Sequence, residues 1–108
     1  MKEDLFHGQR RMTINPGEYY VSKTPVVITT LLGSCIAACL YDPAAQIIGM
    51  NHFLLVERRH SEAESILGSE AGRYGINAME LLINQMLAAG AKRARLRAKA
   101  FGGADVLR

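Results

Sequence analysis

The feature that most constrains this chain is a 16-residue apolar stretch, Val26 to Tyr41, broken by Gly33-Ser34 and stopped by Asp42-Pro43. It falls short of the roughly 18–20 residues that cross a bilayer. Thr29, Thr30, Gly33 and Ser34 interrupt its apolarity, so buried strands account for it better than a membrane span. Pro25 opens a β-branched run, Val26-Val27-Ile28-Thr29-Thr30, that favours one strand. Ile36 to Tyr41 and Gln46 to Val56 read as two more, joined by Asp42-Pro43-Ala44-Ala45, a sequence suited to a type I turn.

The flanking segments complete the pattern. Residues 1–16 are polar and mixed in sign, with a turn signal at Asn15-Pro16-Gly17, and read as a loosely held lead-in before a domain spanning 17–108. Glu18 to Ser22 suggests a short strand, and the charged residues 57–69 an exposed loop. From Glu70 to Ala89 the period turns helical. Ile76, Met79, Ile83 and Met86 form a core-facing stripe, Ser69 can cap the start, and Gly90 can close the end. Arg93 to Phe101 alternates, with Arg93, Arg95, Arg97 and Lys99 on one face and small or apolar residues on the other. The reading is an α/β fold, β-β-β-α-β, with one helix covering one face of the sheet.

Composition narrows the class. At 108 residues, 49% hydrophobic and 21% charged, the chain matches one globular domain. Two cysteines rule out a disulfide-dense secreted scaffold. The acidic N-terminus lacks the apolar core of a signal peptide, so a reducing cytoplasm is expected. A net charge of +3 is too small to argue for nucleic acid by itself. The Arg93–Lys99 row suits either an acidic partner or the solvated face of an edge strand, and no aromatic residue interleaves with it to stack on bases.

The hairpin carries the chemical question. With Asp42 to Ala45 as a four-residue loop, Tyr41 lies opposite Gln46, Cys39 opposite Ile48, and Cys35 opposite His52. Directly opposed residues have Cβ atoms about 4.5–5.5 Å apart. A thiol and an imidazole at that spacing suit a nucleophile and its base. Gly33-Ser34 just before the thiol suits a turn whose N–H groups receive a developing oxyanion, or simply a bulge. The residues alone leave a second reading open: a buried thiol beside a satisfied core histidine. A zinc site from Cys35, Cys39, His52 and His60 is disfavoured by the spacing of the cysteines on a strand, so neither metal nor other cofactor is expected.

Leu31-Leu32-Gly33-Ser34-Cys35-Ile36-Ala37-Ala38-Cys39-Leu40-Tyr41-Asp42-Pro43 and Gly49-Met50-Asn51-His52-Phe53-Leu54-Leu55 resemble the chemoreceptor glutamine deamidase family, CheD. So do Arg73-Tyr74-Gly75, Ala78-Met79 and Ala98-Lys99-Ala100-Phe101-Gly102-Gly103-Ala104. The resemblance implies a three-layer α/β/β sandwich, mainly antiparallel, with one long helix. Against the family pattern the chain stops early, at Arg108, so the sheet is expected to be incomplete on its C-terminal side.

The implied activity is a cofactor-free, thiol-dependent hydrolysis of receptor glutamine to glutamate. The catalytic set falls on Cys35, His52 and Thr29, with Thr30 adjacent to the last. Gly33, Ser34, Asn51 and Tyr74 are expected at the substrate cleft, Tyr74 being equally suited to packing. The implied partners are methyl-accepting chemotaxis receptors as substrate and the CheC phosphatase as modulator, with no nucleic acid and no membrane insertion. The alternative within this frame is a non-catalytic regulator that binds CheC.

Overall fold

A computed structural model describes residues 1–54 and 70–103, with side chains from 74 onward in the second segment. The strands are β1 (Lys2–Phe6), β2 (Gln9–Thr13), β3 (Tyr19–Ser22), β4 (Val27–Thr29), β5 (Ile36–Asp42), β6 (Ile47–Phe53) and β7 (Arg97–Gly102). One helix, α1 (Glu70–Ala88), lies between β6 and β7. The strands form two sheets, ordered β1-β2-β4 and β3-β6-β5-β7. The larger sheet is antiparallel throughout, and the smaller contains one parallel pairing, β2 with β4.

Two cores make this a three-layer α/β/β sandwich, as expected. On one face of the larger sheet Leu40 and Ile47 pack against Leu82 and Met86 of the helix. On the other, Ala37 and Met50 pack against Ile14, just past the end of β2, and against Met12 and Ile28 of the smaller sheet. Alternation along β6 sorts its side chains between the two. The helix comes close because β6 offers Gly49 there: a Cβ at that position would lie 2.8 Å from the Met86 sulfur and 3.0 Å from Val21. Leu82 and Met86 are fully buried, whereas Ile76 is 42% exposed, so the helix stripe is centred nearer its C-terminus than the sequence period suggests.

Gly90 ends the helix as expected. It takes a φ of +116°, and the bonds from Gly90 N–H to the Leu87 carbonyl and from Ala91 N–H to the Met86 carbonyl close a Schellman motif. The expected cap at Ser69 and the loop over 57–69 lie outside the described residues.

Three expectations are corrected. The lead-in forms the β1–β2 hairpin, turning at His7-Gly8, where both residues have positive φ. Its strands carry charge rather than apolar alternation. They are held by cross-strand ion pairs, Arg11 to Asp4 at 2.6 and 2.8 Å and Arg10 to Glu3 at 2.5 Å. The cationic row is also broken, because Arg93–Arg95 is a 3₁₀ turn and Arg95 binds the buried Asp42.

The third correction is the register. Asp42 extends β5 and pairs with Ile47, so the loop is Pro43 to Gln46, and Cys39 opposes Met50 rather than Ile48. The Asp42 carboxylate is fully buried. It accepts N–H groups from Ala44, Ala45 and Lys92 and the Arg95 guanidinium; the Arg95 bond above all, with those of Lys92 and Ala45, holds it well below the usual carboxylate range. These bonds make Asp42 part of the framework, and the turn starts one residue later.

Candidate active site

The register shift changes how thiol and imidazole meet. His52 opposes Ala37, and Cys35 stands two residues earlier, in a bend just before β5. The two are therefore in the diagonal relation, in which neighbouring positions are about 7–8 Å apart, rather than directly opposed. A shift of two residues preserves which face each strand position serves. Cys35 is half-buried, Ser34 is exposed, and both cysteines are free thiols.

His52 is 2% exposed, and its surroundings fix its proton. The Thr30 hydroxyl donates to the Ile14 carbonyl at 2.8 Å and lies 2.7 Å from His52 Nδ1. A hydroxyl has one proton to give. With that proton on Ile14, Thr30 accepts from Nδ1–H, so the neutral ring carries its hydrogen on Nδ1. Nε2 is then a bare lone pair. It is buried and has no hydrogen-bond partner among the described residues. Burial lowers the His52 pKa, which keeps the ring neutral near pH 7 and able to take a proton. The backbone is pinned as well, donating to the Glu18 carbonyl at 3.0 Å and accepting from Gly17 at 2.7 Å.

The hydroxyl against the ring is that of Thr30, not Thr29. Thr29 pairs with Thr13 at the end of β4, and its carbonyl accepts from Ile14 N–H. Adjacent positions on an extended chain point in opposite directions, so only one of the two hydroxyls reaches the ring. Asn51 lines the small cavity beside His52 and Tyr74, with its amide bonded within the protein. It faces the helix, where its Oδ1 accepts from Ala38 N–H at 2.9 Å and its Nδ2 donates to the Ala78 carbonyl at 3.4 Å. Both ends of the amide are occupied by protein, which makes it a tie between helix and sheet.

Tyr74 is 43% exposed near the start of α1, beside Gly17. It lines a cavity of about 80 Å³ with Gly17, Asn51, His52, Phe53 and Asn77. Cys39 lies in the core between the sheets, and burial pushes its thiol up, away from the reactive form. The Ile14 carbonyl was not legible as a site group, because nothing local in Thr13-Ile14-Asn15 marks an acceptor for a distant hydroxyl. His60 lies outside the described residues.

The fold is an α/β/β sandwich that buries one imidazole, its Nδ1 bonded to Thr30 and its Nε2 without a partner among the described residues, with a half-buried cysteine two residues before its cross-strand neighbour. The family model described as CheD chemotactic sensory transduction matches residues 55–108. The chain is 52% identical over 107 residues to the probable chemoreceptor glutamine deamidase CheD 1 of Geobacter sulfurreducens, covering 99% of this chain and 53% of that protein. It is 54% identical over 107 residues to the probable chemoreceptor glutamine deamidase CheD 2 of Shewanella oneidensis, covering 99% of this chain and 52% of that one. The chain belongs to the CheD family. It spans about half the length of the curated relatives it matches.

Proposed function

We propose that this chain carries the Cys–His centre of a chemoreceptor glutamine deamidase, with Cys35 as nucleophile, His52 as general acid and base, and Thr30 as the residue that orients the ring. The observation that carries this reading is the buried Nε2, without a partner among the described residues, of a histidine whose Nδ1–H is already committed to Thr30. A purely structural histidine in such a place would have both nitrogens satisfied. The names of the relatives support receptor glutamine as the substrate.

In the first step the Cys35 thiol gives its proton to His52 Nε2, and the sulfur attacks the carboxamide carbon of the glutamine. The tetrahedral oxyanion collapses, the C–N bond breaks, and the nitrogen leaves as ammonia with the proton held by the imidazolium. In the second step His52 takes a proton from water, the hydroxide attacks the thioester, and the C–S bond breaks to give glutamate. The proton returns to sulfur. A neutral ring with Nε2 bare is the state the first step needs, and burial together with the Thr30 bond favours that state.

The backbone at Gly33-Ser34 is the candidate donor set for the oxyanion, and Tyr74 the candidate cleft wall. Membership of the CheD family supports modulation by the CheC phosphatase, and the two free thiols suit a reducing, cytoplasmic setting.

The test is mass spectrometry of a receptor fragment incubated with the chain, reading the gain of ~1 Da that converts Gln to Glu. Wild type and Cys39→Ala are expected to convert the fragment, and Cys35→Ala to leave it unchanged. Equal conversion by the two cysteine variants would overturn the proposal.

A further inference from the structure

We infer that Gly102 and Gly103 are positioning residues for Cys35: the bare backbone at the end of β7 grips the carbonyl of the cysteine and sets where its thiol stands relative to His52. This inference rests on the proposed reading of Cys35 as the nucleophile.

The starting point is a demand at Gly102 that packing does not explain. All six residues of β7 are exposed, so no side chain of the strand anchors it in a core. Yet a Cβ at Gly102 would lie 2.1 Å from the Cys35 carbonyl oxygen and 3.3 Å from Ile36 Cα. Those are backbone atoms, which cannot rotate aside as a flexible side chain can. Gly102 also has a φ of +106°, a conformation that L side chains rarely adopt. Two independent requirements therefore exclude any other residue.

Gly103 adds the hydrogen bond. Its N–H donates to the same Cys35 carbonyl at 3.0 Å. Outside the strand ladders, this is the one backbone hydrogen bond that reaches the 33–35 bend among the described residues. One residue later, Ile36 is held on both sides, by Phe53 of β6 and by Gly102 of β7. The cysteine thus stands where a loosely bonded bend enters the ladder, and the β7 terminus is what restrains it there. Position matters for a nucleophile in the diagonal relation to its base, since a displacement of about 1 Å can cost on the order of a hundredfold in rate.

The experiment reads alkylation of each cysteine by iodoacetamide at pH 7, with the two sites resolved by peptide mass spectrometry. Cys39 serves as an internal reporter, because it opposes Lys99 of β7 and would be uncovered if the strand simply came loose. In the wild-type chain Cys35 is expected to react faster than Cys39, and His52→Gln to narrow the advantage. Gly102→Ala is expected to slow Cys35 by about tenfold or more while leaving Cys39 unchanged. Gly103→Ala, whose methyl meets nothing within 4 Å, keeps the N–H and should slow Cys35 in the same direction by less.

Gly8→Ala imposes matched backbone strain at φ +78° on the remote β1–β2 turn and should change neither site. A fast wild-type Cys35 that neither β7 variant slows overturns the inference alone. Acceleration of both cysteines by Gly102→Ala also overturns it, in favour of a purely structural role. A wild-type Cys35 no faster than Cys39 overturns the nucleophile reading and the inference with it.

Discussion

Asn51 and His52 are consecutive, equally buried at 2% exposure, and both polar, yet they serve opposite faces of one strand in opposite ways. On the helix side Asn51 has its amide completed by Ala38 and Ala78. On the side of the smaller sheet His52 has one nitrogen bonded to Thr30 and the other bonded to nothing described. A buried polar group normally finds its partners, because leaving one unsatisfied costs about 1–3 kcal/mol. The contrast separates the two roles. Where the protein completes a polar group it is building a joint, and where the described residues leave a lone pair bare, that atom is open to a proton, as the proposed mechanism requires.

The largest difference is expected from exchanging that pair for inert residues. His52→Gln should lower glutamine conversion by roughly 10²–10⁴, the usual contribution of a general acid–base group, and slow Cys35 alkylation by much less, with the folded chain retained. Asn51→Leu should do the reverse. It strands the Ala38 N–H and lowers unfolding free energy by about 1–3 kcal/mol in denaturant titrations, with Cys35 reactivity of the folded fraction unchanged. If Asn51→Leu silences the thiol and leaves stability intact, the assignment of the two faces is wrong.

A smaller effect should separate the two threonines. Thr30→Val removes a hydrogen bond worth about 0.5–1.5 kcal/mol, so glutamine conversion should fall a few-fold to tenfold, while Thr29→Val should stay near wild type. A loss confined to Thr29→Val would place the orienting hydroxyl one residue earlier.

The smallest differences concern acid, and they fall in separate windows. The His52 pKa is lowered by burial, so the unfolded chain binds a proton the folded one refuses. Stability is therefore intact above the ordinary value of about 6.5 and declines as the pH falls below it. The Asp42 pKa is lowered from 3.8 chiefly by its bond to Arg95, so its contribution persists to lower pH and is lost as the pH falls from about 4 toward the depressed value. Melting curves against pH should lose the first decline in His52→Gln and the second in Asp42→Asn.

The helix, its Gly90 terminus and strands β3 to β6 were legible because each carries its signal locally, as a period, a turn residue or a β-branched run. The first hairpin was not, because charge pairs such as Asp4 with Arg11 read as a polar segment until the strands are side by side. The site was half legible. Cys35 and His52 stand out by residue type beside Gly33-Ser34, but their relation depends on whether Asp42 begins the turn or ends the strand. Lys92 and Arg95, some fifty residues further along, decide that by bonding its carboxylate.

Sequence alone determined the α/β class and the pairing of β5 with β6, and singled out the two side chains proposed to react, since those follow from short-range pattern and chemistry. Tertiary structure decided which threonine touches the ring, which nitrogen is left bare, and why glycine must follow Phe101. Each of these turns on a distance between segments far apart in the chain, and such distances exist only once the layers have closed.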